Sequence, residues 1–448
     1  MGKLFGTDGV RGIANEELTN KLAYQLGRFG AHVITNGKKG STILIGKDTR
    51  VSGDMLESAL LSGILSAGCD VIKVGVLPTP AIPKLIKHFN ADAGVMISAS
   101  HNPVAFNGIK FFNEKGYKLT DAIEGEIEDY ILNDKDLAHN PSGTEIGRKT
   151  EVFRAMEIYA DEVMETIEGD LKGLKVAIDA ANGSAFEVAK YALDKLGAET
   201  FVINNAPDGF NINNNCGSTH PEGLCDYVKK HKVDLGLAFD GDADRVLAVD
   251  EQGVLIDGDK IMVICGKYLA DKGLLNNNTV VSTVMSNLGL DIALKENEIK
   301  SIKTKVGDRY VLEAMKEGQY ALGGEQSGHI IFLNHNTTGD GLLTGIQLMN
   351  VIKNTGKTLS ELGCAMDTYP QVLLNAKVSN DKKHAYLENE IIKKAIQEVE
   401  AVYDGAGRVL IRPSGTEPLV RVMIEGKDQS QLQGHAESLV ALIEKELG

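Results

Sequence analysis

Short, unbroken apolar runs separated by helix-length segments constrain the fold of this chain more than any other feature. Residues 42–46 (TILIG), 70–76 (DVIKVGV) and 93–100 (AGVMISAS) lack the polar alternation of a strand with one wet face, so both faces must be covered. Leu18, Leu22, Leu26, Phe29 and Val33 recur at helical spacing before the first run, and MLESALLSGILSAG supplies a helix between the first and second. Doubly buried strands alternating with helices predict an α/β fold on a parallel or mixed sheet.

The pattern restarts twice. KVAID, FEVAKYALDKLG, TFVIN, DLGLAF and VLAVD form a second unit, and KIMVICGKYLAD, TVVSTV and IIFLN open and close a third. From about residue 370 the texture changes to VLLNAKV, a Lys/Glu-rich helix, two strands around RPSGTEP and an amphipathic C-terminal helix, which reads as α+β. The expected organisation is three mixed α/β domains, residues 1–150, 151–252 and 253–367, and a C-terminal α+β domain, residues 368–448. No residue-level repeat accompanies this recurrence of architecture.

Composition narrows the classes of function. A formal net charge of −15 argues against nucleic acid as the main partner, since phosphate backbones call for a basic face. The longest apolar stretch, LLSGILSAG, is too short for a bilayer, and the start MGKLFGTDG has no signal core. Five scattered cysteines without CxxC spacing fit reduced thiols. The expectation is a soluble cytoplasmic protein with no membrane and no nucleic-acid partner.

Several polar loops sit at strand ends, where α/β proteins place ligand sites. Ser98-Ala99-Ser100-His101-Asn102-Pro103 presents a hydroxyl beside an imidazole; serine needs a base, a metal or prior phosphorylation to be useful, and His101 and Lys110 are near in sequence. Asp240, Asp242 and Asp244 alternate in DGDADR, a spacing of hard oxygen donors suited to Mg²⁺ and repulsive without a cation. An EF-hand calcium loop competes, with Glu251 at its twelfth position, but Arg245 stands where that loop needs glycine and the flanks read as strands. Arg412-Pro413-Ser414-Gly415-Thr416-Glu417-Pro418 with Arg421 suits a phosphate dianion, although a plain hairpin explains Pro, Ser and Gly equally well. Glu325, Gln326 and Ser327 in GEQSGH can hydrogen-bond sugar hydroxyls or an ammonium group, and Lys305 and Gly307 in KTKVGDR form a further cationic loop. Arg11 in FGTDGVRG and the segment KDTR at 47–50 add cations, with surface turns as the plain alternative.

In this order, TDGVRG, SASHNP, NGIK, DGDADR, VGDRY, GEQSGH and RPSGTEP resemble the α-D-phosphohexomutase superfamily along essentially the whole chain. The resemblance implies four domains around a central cleft, a phosphoserine at Ser100, and one Mg²⁺ per chain on Ser100, Asp240, Asp242 and Asp244. It places Arg11, Lys110 and Arg245 around the transferring phosphoryl, with Lys110 or His101 moving the hydroxyl proton. Glu325, Ser327, Lys305 and Gly307 would meet the sugar phosphate, and Arg412, Ser414, Gly415, Thr416 and Arg421 the distal phosphate. Within the superfamily FGTDGVRG, Gln326-Ser327 and RPSGTEP are most similar to the branch that interconverts glucosamine 6-phosphate and glucosamine 1-phosphate for amino-sugar nucleotides and cell-wall precursors. That branch uses a glucosamine or glucose 1,6-bisphosphate as activator and is compatible with a homodimer. Glucose or mannose phosphate mutation, a metal-dependent sugar phosphatase and a non-catalytic sugar-phosphate sensor are the rival readings. One departure is Phe106, where the family carries an acidic residue before the NG of NGIK.

Overall fold

The computed structural model describes residues 3–6, 8–403, 406–414 and 417–448. Packing divides it into two compact units, Met1–Met285 with Glu298–Ala365, and Ser286–Asn297 with Met366–Gly448. Among the described residues there are four sheets, three in the first unit and one in the second.

The first sheet comprises β1 (Val10–Ile13), β2 (Thr42–Lys47), β3 (Asp70–Val76), β4 (Ala93–Ile97), β5 (Phe106–Asn113) and β6 (Lys149–Glu151), in the order β1-β5-β4-β2-β3-β6. Strands β2, β3, β4 and β6 run parallel, while β5 is antiparallel to β4 and β1. Every residue of β4 is buried, as its unbroken apolar run requires. The helix Asn20–Ile34 starts at Thr19, whose hydroxyl accepts from Leu22 N, and it buries Leu26 and Phe29. Leu18 lies one residue ahead of that cap and joins the core from outside the helix.

The second sheet holds β7 (Lys175–Asp179), β8 (Glu199–Ile203), β9 (Leu235–Phe239), β10 (Val246–Asp250) and β11 (Leu255–Ile256), ordered β11-β10-β9-β7-β8. Strands β9 and β10 are antiparallel, with Phe239 opposite Val246, so DGDADR is the turn of a buried hairpin. Strand flanks dispose of the EF-hand alternative, which needs a helix on each side. Glu251, its twelfth position, accepts instead from the backbone and hydroxyl of Ser360.

The third sheet consists of β12 (Thr279–Thr283), β13 (Lys300–Thr304), β14 (Leu322–Gly324) and β15 (Ile330–Phe332), ordered β13-β12-β14-β15. GEQSGH joins β14 to its antiparallel neighbour β15. In the second unit β16 (Gln371–Lys377), β17 (Arg408–Pro413) and β18 (Leu419–Glu425) form an antiparallel sheet in the order β16-β18-β17. Val372, Val420, Val422, Leu432, Leu439 and Ile443 make its core, to which the helix Gln429–Leu447 contributes the last three. The architecture is three mixed α/β domains and a C-terminal α+β domain.

The FGTDGVRG segment is more than a loop. Val10–Ile13 forms an edge strand, and Phe106 opens β5 opposite Ile13 in a half-buried position. The pairing brings Arg11 opposite Gly108, two residues from Lys110 on the same strand.

Candidate active site

Ser100 stands just beyond the C-terminal end of β4 with φ at +51°, a left-handed conformation that a non-glycine residue adopts at a cost. A buried polar frame holds it there. Ser98 Oγ accepts from Ser100 N at 2.9 Å and donates to Asp48 Oδ2 at 2.6 Å, and Asp48 is ion-paired to Arg50 at 3.0 Å. The Arg50 guanidinium donates to the carbonyls of Ser100, Asn102 and Pro103, and Asn213 Nδ2 donates to the Ser100 carbonyl at 2.9 Å. The KDTR segment therefore serves as scaffold for the serine loop and is not a surface ion pair.

The DGDADR turn comes against this loop. Ser100 Oγ donates to Asp240 Oδ2 at 2.7 Å. Gly241 permits the approach, since a Cβ there would lie 2.6 Å from the Ser100 carbonyl oxygen. Asp240, Asp242 and Asp244 are buried, and one carboxylate oxygen from each falls within 4.8 Å of the others. Asp242 Oδ2 accepts from Thr79 Oγ1 at 2.5 Å and from Lys110 Nζ at 2.9 Å. Among the described residues neither Asp242 Oδ1 nor Asp244 Oδ1, both buried, has a hydrogen-bond donor. Buried oxygens left without donors beside a serine hydroxyl are a donor set that fits a hard divalent cation.

Protonation follows from these contacts. Burial, then the charges of Asp244 and Asp242, push Asp240 well above the ordinary carboxylate range. Burial would raise Asp244 as well, but the hydrogen bond and charge of His329, then Lys110 and Arg245, outweigh it and hold the group ionised. Burial disfavours the Lys110 ammonium, yet Asp242 and Asp8 more than compensate and keep it charged. His101 is driven down to about 4, first by burial and then by the Arg245 and Arg11 guanidiniums. Its Nδ1 faces Arg245 Nη1 at 3.2 Å and Ser100 Oγ at 3.4 Å, which makes it an acceptor in neutral imidazole. Arg11 pairs with Asp8 at 2.9 Å and reaches Asn102 Oδ1 at 3.3 Å. Ser100, His101, Lys110, Arg11, Arg245 and the three aspartates thus lie in one connected set of contacts.

The residues of GEQSGH and KTKVGDR are arranged more openly. Glu325 Oε1 accepts from Gly307 N at 3.1 Å, which ties GEQSGH to KTKVGDR. Ser327 and Lys305 are exposed, and Lys305 Nζ lies 6.0 Å over the Tyr310 ring. Gln326 Nε2 donates to Asp257 Oδ2 at 3.1 Å. His329, buried behind the loop, faces Asp244 Oδ2 at 3.5 Å and Asp308 Oδ2 at 3.7 Å.

In the second unit Arg412 on β17 is directly opposite Arg421 on β18. Burial and the neighbouring Arg421 charge lower the Arg412 pKa. Like charges facing across a ladder are unfavourable unless an anion lies between or above them. Arg421 also meets Glu417 at 3.5 Å, and Ser414 Oγ accepts from Glu417 N at 3.1 Å. Gly415 and Thr416 lie outside the described residues.

Asn213, Thr79 and Asp8 also contact the set, and Lys118 reaches it through Asp8, although no spacing rule selects them. Apart from Asp8 and Arg11, their partners are distant in sequence, as with Thr79 and Asp242, separated by 163 positions.

Sequence models of phosphoglucomutase/phosphomannomutase alpha/beta/alpha domains I, II and III match residues 2–138, 157–253 and 257–369, and that of the C-terminal domain matches residues 373–442. The chain is 61% identical over 448 residues to phosphoglucosamine mutase of Ruminiclostridium cellulolyticum and 57% identical to that of Alkaliphilus metalliredigens, with 100% of each chain covered. Among solved structures, a phosphoglucomutase/phosphomannomutase family protein from Burkholderia thailandensis shares the fold at TM-score 0.80 and 23% identity, over 100% of this chain and 99% of that one. Aspergillus fumigatus N-acetylphosphoglucosamine mutase does so at TM-score 0.66 and 17% identity, over 99% and 96%. With identity at this level from end to end, the chain belongs to the phosphoglucosamine mutase family of the α-D-phosphohexomutases.

Proposed function

We propose that the chain interconverts glucosamine 6-phosphate and glucosamine 1-phosphate in the cytoplasm, with Ser100 as phosphoryl carrier, one Mg²⁺ per chain, and glucosamine or glucose 1,6-bisphosphate as activator. The observation that carries this reading is the 2.7 Å contact between Ser100 Oγ and Asp240 inside a buried carboxylate triad. The five free cysteines agree with a reducing compartment.

In the proposed cycle phospho-Ser100 loses its phosphoryl to the unesterified oxygen, O1 or O6, of the bound monophosphate. The P–Oγ bond breaks, a P–O bond to the sugar forms, and the hydroxyl proton passes to a base. The 1,6-bisphosphate turns over in the site and its other phosphoryl returns to Ser100, without net hydrolysis. Asp240, Asp242, Asp244 and the Ser100 oxygen would hold the Mg²⁺, which when bound supplies charge neutralisation at the phosphoryl oxygens. Lys110, fixed as an ammonium between Asp8 and Asp242, contributes positive charge. His101, neutral and with Nδ1 between Arg245 Nη1 and Ser100 Oγ, would take up the hydroxyl proton once Arg245 turns to the phosphoryl oxygens. Arg11 and Arg245 flank the same place, Glu325 and Ser327 would read the sugar at carbon 2, and Arg412, Ser414 and Arg421 would grip the remote phosphate.

Turnover of glucosamine, glucose and mannose monophosphates, with Mg²⁺ and a trace of bisphosphate, tests the reading. Preference for the glucosamine ester, abolished in Ser100→Ala, is the expected result. Better turnover of the glucose or mannose ester would move the assignment to a neighbouring mutase, and release of inorganic phosphate would make the chain a phosphatase.

A further inference from the structure

Lys118 belongs to none of the seven motifs, yet its ammonium sits between carboxylates of two different active-site loops. Nζ lies 2.5 Å from Asp8 Oδ1 and 2.6 Å from Asp308 Oδ2. Asp8 belongs to the FGTDGVRG segment, and its other oxygen holds both Arg11 and Lys110 at 2.9 Å. Asp308 begins the helix Asp308–Gly318 directly after Gly307, the residue that donates to Glu325. The backbone of Lys118 is itself fixed, bridging Phe112 on β5, the strand that carries Lys110.

We propose that Lys118 is a positioning residue that ties the phosphoryl-side loop bearing Arg11 to the sugar-side loop bearing Gly307 and Glu325. The inference rests on the function proposed above and assigns it a residue which no motif contains. The contacts form a chain of alternating charge: Asp242, Lys110, Asp8, Lys118, Asp308. It begins in the carboxylate triad and passes through both loops. Without Lys118, two carboxylate oxygens that both lie within 2.6 Å of its Nζ, and so no more than about 5 Å apart, would face each other across the loops with no shared cation, and their repulsion would drive the loops apart. Displacement of about 1 Å in a positioning element can cost about a hundredfold in rate. Because the two loops address different parts of the substrate, the loss is felt in sugar discrimination as well as in rate.

The test compares kcat and KM for glucosamine 1-phosphate and glucose 1-phosphate in the parent, Lys118→Met, Lys118→Arg and Asp308→Asn, all with Mg²⁺ and bisphosphate. Lys118→Met is expected to lose about tenfold to a hundredfold in kcat/KM for the glucosamine ester, and its preference for glucosamine over glucose should shrink. Lys118→Arg, able to bridge both carboxylates, should restore the preference. Asp308→Asn keeps the lysine but cuts the tie to the sugar loop, so it should show the shrunken preference even if Lys118→Met does not fold. An unchanged preference in Lys118→Met and Asp308→Asn, whatever the absolute rates, would overturn the inference by leaving Lys118 a merely structural ion. A parent chain with no mutase activity would overturn the proposed function instead, so the two failures are distinguishable.

Discussion

Asp240→Asn is expected to stabilise the metal-free chain and weaken its response to Mg²⁺. The three aspartates place carboxylate oxygens within 4.8 Å of one another, all buried. With an effective dielectric constant of about 20, each pair at that separation repels by about 3 kcal/mol. Lys110 offsets the charge on Asp242, and His329 and Arg245 that on Asp244. Asp240 has a serine hydroxyl and the backbone N–H of Arg245 as its donors, and responds by holding a proton far above the usual range. That protonation already removes much of the repulsion, so replacing the carboxylate by its neutral isostere should gain about 1 kcal/mol rather than the sum of two pairs. Free Mg²⁺ at a hundred times its dissociation constant adds about 2.7 kcal/mol to the parent through mass action, and the variant, one anionic ligand short, should gain much less. Thermal unfolding in EDTA and in MgCl₂ reads both effects, with the variant melting higher in EDTA and lower in excess Mg²⁺. An Asp240→Asn chain that melts lower in EDTA and gains the parent's full increment from Mg²⁺ would refute the reasoning.

Three further outcomes are expected. Arg412→Ala should raise KM for both glucosamine monophosphates by about tenfold to a hundredfold in steady-state assays, the worth of a charge-assisted bond to phosphate, without dissolving the sheet, since it relieves the facing Arg421. Gly258→Ala should impair turnover measured at saturating substrate, because the new Cβ would lie 2.2 Å from the Glu325 carbonyl and push the GEQSGH loop proposed to read the sugar; wild-type kcat would contradict this. Glu124, raised to about 7 by burial and then by Asp121, favours the folded state below its ordinary value of 4.5 and loses that contribution as pH rises through 7. Glu124→Gln should therefore stabilise the chain more at pH 8 than at pH 4, by about 1 kcal/mol after discounting for the group's partial exposure, which thermal unfolding at the two pH values reads.

Local chemistry was legible in the sequence where it depended on spacing. The spacing of DGDADR announces three carboxylates brought together, a set that could hold a metal, and the doubly buried runs at β2, β4 and β9 announce a covered sheet. Pairing over long separations was not legible. No periodicity shows that Val10–Ile13 adds to β5, or that Asn213 and Arg50 converge on the Ser100 carbonyl. Lys118 reads as one more lysine in a polar turn until Asp8 and Asp308 are seen on either side of it. Phe106, a departure from the family pattern in sequence, fits as the first residue of β5 because its place requires only a half-buried strand position.

The central claim is that Ser100 carries the phosphoryl group from one sugar oxygen to the other. A single-turnover experiment tests it most directly: the Mg²⁺-loaded chain is phosphorylated with 1,6-bisphosphate, freed of excess, and mixed with glucosamine 6-phosphate. Mass spectrometry of the Ser100 peptide and analysis of the sugars are expected to show phosphate leaving the serine as glucosamine 1,6-bisphosphate appears. Phosphate that never resides on Ser100, or that leaves it as the inorganic ion, would contradict the account.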